Sequence, residues 1–293
     1  MARQKAQPRT DQTRNRIIVD LIVNPLKDHF ADSLGLVKGA REQVPSVRLI
    51  SSLYRKLMPK PIRVLARASK ILELFREVLQ LAISDFPNNV RKEVLLFIFY
   101  KSEVEAGMES SFLGGLLESV QATERVRGDI IEFGTFKGGS TLMISHLLKK
   151  IGSKKRIFAC DTFKGHPYDD KFTASPPCKG EFSNTSARYV LNKFRRFGVQ
   201  DKITVVKGLF ENTLLAKLAN ERFSLAFIDC DLYDSTKFAL NFLRTRMNNG
   251  GRIVLHDYDD DRWGATKAIN EWCQNNHYKV NLDPVPHVKF SHP

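Results

Sequence analysis

Short apolar runs alternate with helical segments through the C-terminal two thirds of the chain. The apolar runs lie at 129–134, 156–160, 202–206, 223–229 and 251–256, and the helical segments at 111–124, 139–150, 186–197, 213–220, 235–247 and 264–275. Strands that alternate with helices of this length are typical of βαβ units, in which the strands pair in parallel. The run Phe223–Asp229 is almost entirely apolar, as in a central strand covered on both faces. The pattern predicts a doubly wound, mostly parallel α/β sheet.

The two ends of the chain differ from this central pattern. Between Ile17 and Val104 apolar residues recur at helical spacing and prolines divide them into short segments. We therefore predict a basic, mainly helical N-terminal extension over residues 1–105 and an α/β domain over residues 106–293. Two short segments near the C-terminus, 278–282 and 287–290, would add an antiparallel edge and bring the sheet to seven strands.

The formal net charge of +14 raises the question of an anionic partner. Residues 1–70 contain 15 Lys and Arg against 5 Asp and Glu, so only +4 remains for the rest of the chain. We expect residues 1–16 to be disordered, and the basic arm either contacts RNA, anionic lipid or an acidic protein, or is simply solvated. No apolar window approaches the ~20 residues that cross a bilayer, and no secretory signal precedes the arm, so we expect a cytoplasmic protein.

The first strand of the α/β domain runs into a glycine-rich turn, residues 131–141. Gly134 allows a sharp turn, and Gly138 and Gly139 allow backbone to approach a ligand at the start of a helix, where free N–H groups bind anions. The spacing differs from the G-x-G-x-x-G of dinucleotide-binding proteins, and Glu132 would repel a pyrophosphate but suit a cationic methionyl group. This disfavours a nicotinamide-dependent dehydrogenase. A turn that only connects strand and helix is the alternative.

The second strand ends at Asp161, 29 residues after Glu132. An acid at this position of such a sheet meets the ribose hydroxyls of a bound nucleoside. A lone aspartate at a strand end is otherwise a turn or N-cap residue. Together with the glycine-rich turn, the position favours the ribose role.

Acidic residues follow both the fourth and the fifth strand. They are Asp229, Asp231 and Asp234 after the fourth, and Asp257 and Asp259–Asp261 after the fifth. Because adjacent parallel strands end at one edge, we expect these groups to lie side by side, where oxygen ligands suit Mg²⁺ or Ca²⁺. A bound metal would ease deprotonation of a substrate hydroxyl, and one acid would serve as general base.

A functional role is favoured for Asp231 and Asp257, since charges at strand ends inside a cleft are costly unless used. For Asp234, Asp260 and Asp261 we favour helix capping or a solvated loop. The four cysteines are scattered and form no C-x-x-C pair, which supports neither a zinc site nor a disulfide framework.

Six sequence blocks fall in order over Asp129–Trp272: IEFGTFKGGST, DTFKGHP, VVKGLFENTL, IDCDLYDSTKFAL, NGGRIVLHDY and WGATKAINEW. Together they resemble the macrocin O-methyltransferase (TylF/MycF-like) family of class I S-adenosylmethionine-dependent methyltransferases. The resemblance covers about half of the chain and does not extend to residues 1–105. It implies a Rossmann-like sheet and methyl transfer from S-adenosylmethionine to a hydroxyl, which in known members belongs to a sugar of a macrolide.

The resemblance also implies which residues surround the cofactor. They are Glu132, Gly134, Thr135, Phe136, Gly139, Ser140 and Thr141 at the methionyl end, Asp161, Thr162 and Phe163 at the ribose, Gly208 and Phe210 at the adenine, and Asp229 in the same site.

The resemblance further implies Mg²⁺ dependence, with Asp231 as a metal ligand and as the base. The family carries an acid pair after the fifth strand, whereas this chain has His256 followed by Asp257. We predict Asp231 and His256 as catalytic residues. We predict Asp231, His256 and Asp257 as ligands of a divalent metal. The metal is Mg²⁺ or another ion, because imidazole is a poorer ligand for Mg²⁺ than carboxylate. His166 and the loop 167–182 lie where a substrate lid would form, and we take His166 as structural.

Two further functions compete with this hypothesis. A nucleic-acid methyltransferase would carry a Pro-Pro-aromatic motif after the fourth strand, but Ser175–Cys178 follows the second strand and lacks the aromatic residue. A non-catalytic S-adenosylmethionine-binding protein would not need the intact glycines and acids. We therefore expect an O-methyltransferase acting on a small-molecule hydroxyl, on a sugar or glycosylated metabolite, and forming a homo-oligomer.

Overall fold

The computed structural model describes residues 73–291, apart from residues 75, 83, 174–177 and 261. The predicted disordered arm, 1–16, and the strongly basic segment, 1–70, lie outside the described residues. So does most of the helical extension that we predicted over residues 1–105.

Six strands form one sheet in the described part of the chain. They are β1 (Asp129–Phe133), β2 (Ile157–Asp161), β3 (Ile203–Lys207), β4 (Phe223–Ile228), β5 (Met247–Leu255) and β6 (His287–Lys289). The order is β3-β2-β1-β4-β5-β6, with β1 to β5 parallel and β6 antiparallel to β5. The chain reverses its direction of travel across the sheet between β1 and β4, and ligands of such sheets bind beyond the strand ends at this switch point.

Helices cover the sheet and precede it. They are α1 (Asn88–Phe99), α2 (Lys101–Val104), α3 (Ser110–Ala122), α4 (Gly139–Lys150), α5 (Ala187–Arg196), α6 (Phe210–Lys217), α7 (Tyr233–Arg244) and α8 (Ala265–Asn276). None of the helices in the described residues is long and apolar enough to cross a membrane.

The centre of the sheet is fully buried, as the apolar sequence of β4 predicts. Every residue of β4 is buried. The ring of Phe133 on β1 packs edge-on against Phe210 of α6, with ring centroids 5.3 Å apart, and against Phe242 of α7 at 6.2 Å. Burying these aromatic side chains against the sheet stabilises the fold by roughly 1.5–3 kcal/mol each. The predicted parallel α/β sheet is confirmed.

The prediction of seven strands is wrong for the described residues. The segment 278–282 contributes one antiparallel bridge, between Asn281 and His287, and no strand. Pro284 and Pro286 interrupt the connection to β6, and proline has no N–H to donate to a ladder. The aromatic ring of Tyr278 instead stacks on Trp272, at a centroid distance of 5.2 Å.

Helix α1 is joined to α4 by a buried acid. The side chain of Glu93 is 1% exposed and accepts hydrogen bonds from His146 at 2.5 Å and from Lys150 at 2.8 Å. The pKa of Glu93 is lowered because these two partners outweigh the effect of burial, which alone would raise it. The described helices of the N-terminal extension thus pack on the sheet-bearing unit, and the division at residue 105 stays a prediction.

Candidate active site

A cavity of about 860 Å³ lies at the carboxyl ends of the five parallel strands. Most of the residues that we predicted for cofactor, metal and catalysis line it. They are Gly134, Thr135, Phe136, Gly139, Ser140, Asp161, Thr162, Phe210, Asp229, Asp231, His256 and Asp257. Four predicted cofactor residues do not reach its surface: Glu132, Thr141, Phe163 and Gly208.

The glycine-rich turn forms one wall of the cavity because side chains have no room there. Gly134 has a φ of +95°, and a Cβ at this position would lie 1.7 Å from the carbonyl oxygen of Asp229. A Cβ on Gly139 would lie 2.3 Å from the backbone nitrogen of Ala106. These two glycines are thus required by close packing, and they leave bare backbone at the cavity wall. At the start of α4, unpaired N–H groups favour an anionic group such as a carboxylate.

Glu132 lies behind this turn and is completely buried. Its carboxyl group accepts hydrogen bonds from the hydroxyls of Ser140 and Thr141, in the first turn of α4. Burial raises the pKa of Glu132 to about 7, although these hydrogen bonds oppose the effect. Glu132 thus acts on the cavity through Ser140, which lines it, and not by direct exposure.

Asp161 joins the end of β2 to the glycine-rich turn. Its two carboxylate oxygens accept hydrogen bonds from the backbone N–H of Phe136 at 2.7 Å and of Phe163 at 2.6 Å. Burial raises the pKa of Asp161, against the effect of these bonds. Since a carboxylate has about four acceptor positions, the same oxygens can still receive a pair of hydroxyls from the cavity.

Asp229, His256 and Asp257 form a compact group at the ends of β4 and β5. The Nδ1 atom of His256 lies 2.9 Å from Asp229 Oδ1 and 3.1 Å from Asp257 Oδ1. Burial alone would lower the pKa of His256, but the two carboxylates raise it to about 11. One nitrogen and two carboxylate oxygens, all within 4.8 Å of one another, can hold a divalent cation that displaces the proton from Nδ1.

Asp231 is placed differently from our prediction of the metal ligands. The structure puts Asp229 in the group with His256 and Asp257, while the side chain of Asp231 points to His166. His166 Nε2 lies 2.7 Å from Asp231 Oδ2. Burial, together with the nearby negative charges of Asp257 and Asp229, raises the pKa of Asp231 to about 7, while the hydrogen bond from His166 lowers it. Asp231 is thus separate from the group of Asp229, His256 and Asp257 and lines the cavity beside it.

Sequence reasoning missed two parts of the cavity wall, residues 105–109 and Trp263, and took His166 as structural. Residues 105–109, between α2 and α3, lie over the glycine-rich turn. Trp263 and Phe182, the last residue of the loop predicted as a lid, flank His166 with ring centroids 5.4 Å and 5.2 Å from its own. No local sequence pattern predicts these contacts, because His166 and Asp231 are 65 residues apart in the chain and residues 105–109 contain no motif.

Glu105 holds the segment 105–109 in place. Its carboxylate accepts hydrogen bonds from Lys193 at 2.8 Å and from the hydroxyl of Tyr189, and it lies 3.1 Å from Lys137. Partial burial would raise its pKa, but these three partners lower the pKa of Glu105 to about 2. Lys137 belongs to the glycine-rich turn, so the contact ties the segment to that turn.

The chain is similar to known O-methyltransferases. A family model described as Macrocin-O-methyltransferase (TylF) matches residues 112–288, more than half of the chain. The chain is 30% identical over 174 residues to the 8-demethyl-8-(2,3-dimethoxy-alpha-L-rhamnosyl)-tetracenomycin-C 4'-O-methyltransferase of Streptomyces olivaceus, covering 53% of this chain and 66%, just under two thirds, of that protein. It is 25% identical over 213 residues to the Mycinamicin III 3''-O-methyltransferase of Micromonospora griseorubida, covering 64% of this chain and 84% of that protein.

Solved structures share the fold. The calicheamicin methyltransferase CalS11 superposes with a TM-score of 0.55 at 19% identity, covering 75% of this chain and 91% of that chain. The O-methyltransferase NovP superposes with a TM-score of 0.53, also at 19% identity, covering 62% of this chain and 81% of that chain.

Proposed function

Because the chain belongs to the macrocin O-methyltransferase (TylF) family of S-adenosylmethionine-dependent methyltransferases, we propose that it methylates a hydroxyl of a sugar or glycosylated small molecule. The observation that carries this proposal is the position of Asp231. Its carboxylate lines the same cavity as the glycine-rich turn and the group of Asp229, His256 and Asp257. The names of two relatives, a 4'-O- and a 3''-O-methyltransferase, support a hydroxyl acceptor.

The residues present fit S-adenosylmethionine. Gly134 and Gly139 line the cavity with bare backbone, as close approach of a ligand requires, and a Cβ at either position would clash with Asp229 or Ala106. We assign the methionyl carboxylate to the start of α4, the ribose hydroxyls to Asp161, and the adenine to the wall around Phe210. The bound cofactor supplies an electrophilic methyl group on a sulfonium.

The donor set of Asp229, His256 and Asp257 fits a divalent cation. These three residues would hold it, and a bound cation lowers the pKa of a hydroxyl beside it. Imidazole is a better ligand for Mn²⁺, Co²⁺ or Zn²⁺ than for Mg²⁺, so we propose that His256 makes this site less selective for Mg²⁺ than an all-carboxylate site.

Asp231 acts as the general base in this proposal. The acceptor oxygen forms a bond to the methyl carbon as the bond from that carbon to sulfur breaks, which leaves neutral S-adenosylhomocysteine. The proton of the acceptor hydroxyl passes to the carboxylate of Asp231. Asp229 and Asp257 cannot take this role as readily, because in this proposal both are ligands of the cation, whereas Asp231 lies outside that group. A positioned base typically contributes about 10²–10⁴-fold to the rate.

Substitution of the base tests this assignment. We expect Asp231→Asn to bind S-adenosylhomocysteine as wild type does and to lose methyl transfer by about 100-fold or more. The measurement is release of S-adenosylhomocysteine with a panel of rhamnosylated and other glycosylated acceptors, beside calorimetric titration of both proteins. Asp234→Asn, which changes an exposed acid of α7 outside the cavity, is the matched control. Wild-type turnover of Asp231→Asn would show that Asp231 is not the base.

A further inference from the structure

We propose that His166 is a positioning residue for the reaction, holding the carboxylate of Asp231 at the orientation in which it meets the acceptor hydroxyl; this rests on the proposed role of Asp231. The observation is a hydrogen bond from His166 Nε2 to Asp231 Oδ2 of 2.7 Å. A carboxylate only accepts hydrogen bonds, so Nε2 carries the hydrogen and the bond is charge-assisted. Since His166 donates to Oδ2, the oxygen Oδ1 keeps both of its acceptor positions for the acceptor hydroxyl.

Without His166, the charges around Asp231 would favour another orientation. The carboxylates of Asp229 and Asp257 are neighbours that repel a third negative charge. The backbone of Asp231 is fixed, because its N–H donates to Asp257 Oδ2 at 3.1 Å and its carbonyl accepts from Ala265 at 3.0 Å. Only the side chain is free to turn, and a small misplacement of a reacting group costs a large factor in rate.

His166 is itself held on several sides. Its backbone N–H donates to Glu181 at 2.9 Å, and its carbonyl accepts from Gly180 at 3.0 Å. The rings of Phe182 and Trp263 contact the imidazole edge-on. The residue is 9% exposed and forms part of the cavity wall, so its orientation is determined by protein rather than by solvent.

Two further contacts join the same loop to the start of α7 but do not involve Asp231. The hydroxyl of Tyr168 lies 2.7 Å from Ser235 Oγ, and a carboxylate oxygen of Asp170 accepts a hydrogen bond from the backbone N–H of Tyr233. Neither Tyr168 nor Asp170 lines the cavity. These contacts attach the loop to α7, whereas His166, on the same loop, contacts the proposed base. Tyr168 therefore offers a matched control for loosening of the loop.

The experiment compares His166→Leu, His166→Gln and Tyr168→Phe in the full chain. The Leu variant removes the donor, whereas the amide nitrogen of the Gln variant can reach the position of Nε2. We expect His166→Leu to lower kcat by about 10- to 100-fold with less than about threefold change in acceptor KM and in the Kd of S-adenosylhomocysteine. We expect His166→Gln to recover kcat to within about fivefold of wild type, and Tyr168→Phe to keep wild-type kcat.

Crystal structures of the same variants with S-adenosylhomocysteine give a readout that needs no acceptor. We expect the Asp231 carboxylate to turn away from its wild-type position in His166→Leu and to keep it in His166→Gln. An unmoved carboxylate in the Leu variant, or equal loss of kcat in the Leu and Gln variants, would overturn the proposal. If Asp231→Asn retains wild-type turnover, the assigned base is wrong, whereas an inactive Asp231→Asn beside a fully active His166→Leu refutes only the role of His166.

Discussion

Glu132 is a carboxyl group enclosed by protein, and its proton is coupled to stability. Its pKa in the folded protein is about 7, above the ordinary value of 4.5. Between pH 4.5 and about 7, the unfolded chain has lost this proton whereas the folded protein still holds it. The free energy of unfolding therefore falls as the pH rises through this range. The loss amounts to about 3–4 kcal/mol, at roughly 1.4 kcal/mol per pKa unit between 4.5 and about 7.

Glu132→Gln should remove this pH dependence. We expect the variant to match wild type in free energy of unfolding near pH 4.5 and to exceed it by about 3–4 kcal/mol at pH 8 in the absence of cofactor. Urea unfolding across this pH range measures the difference. Glu103→Gln, at an exposed position of α2, is the control. Parallel pH profiles for wild type and Glu132→Gln would mean that Glu132 does not titrate in this window.

His256 distinguishes this donor set from one made of carboxylates alone. We expect the wild type to bind Mn²⁺ more tightly than Mg²⁺, and His256→Asp to narrow that preference by about tenfold, because the replacement offers a third carboxylate. Calorimetric titration of each ion into the metal-free protein measures this without turnover. An unchanged ratio of the two affinities in the variant would contradict the role that we propose for His256.

At the residue scale, the sequence predicted most of the residues that line the cavity but not the side chains that contact them. The glycine-rich turn, Asp161 and the acids after β4 and β5 follow from strand ends that meet at one edge of a parallel sheet. The sequence predicted Asp231 beside His256, but the structure places Asp229 there. Strand ends alone cannot predict this, because side-chain contacts determine which of the two carboxylates turns toward His256. The contact of Asp231 with His166 comes from a loop whose path no periodicity describes.

At the scale of elements, the first four strands and three of the six predicted helices, α4, α5 and α8, lie within one residue of their predicted bounds. Helix α3 ends two residues early, and α6 lies three residues before its predicted position at both ends. The departures at α7 and β5 have local causes. Helix α7 begins at Tyr233, two residues before the predicted start, because Asp170, a residue distant in sequence, caps its backbone. Strand β5 begins at Met247 and not at the predicted residue 251, because Asn249–Gly251 continue the strand with an irregularity in its register against β4. Gly250, with a φ of +83°, permits this.

The position of the segment 105–109 depends on the ion pairs of Glu105. Glu105→Gln weakens the charge-assisted bonds to Lys193 and Lys137 that tie the segment to the glycine-rich turn. We expect S-adenosylhomocysteine to bind about 3- to 10-fold more weakly, since hydrogen bonds to charged groups contribute about 1.5–3 kcal/mol and part of this is recovered by the amide.

Calorimetric titration measures this change in affinity, and Glu103→Gln on the neighbouring helix is the comparison. An affinity of Glu105→Gln equal to that of wild type would show that the segment does not depend on this contact.

At the scale of the whole molecule, chemistry and charge lie in different parts of the chain. The residues that line the cavity belong to positions 101–263, while most of the excess positive charge lies in residues 1–70. Methyl transfer to a small molecule and contact of the basic arm with an anionic partner are therefore separate proposals. The first is supported by the cavity and the family, and the second stays a prediction from charge alone.

The central claim is that the cavity at the carboxyl ends of β1 to β5 binds S-adenosylmethionine through Asp161 and the glycine-rich turn. Titration of S-adenosylhomocysteine into the full chain, in wild type and Asp161→Asn, tests it most directly. We predict one site per chain, an added stability of about 2.7 kcal/mol at a ligand concentration 100-fold above Kd, and an affinity at least 10-fold lower in the variant. No heat and no thermal stabilisation in wild type, or equal affinity of both proteins, would contradict the claim.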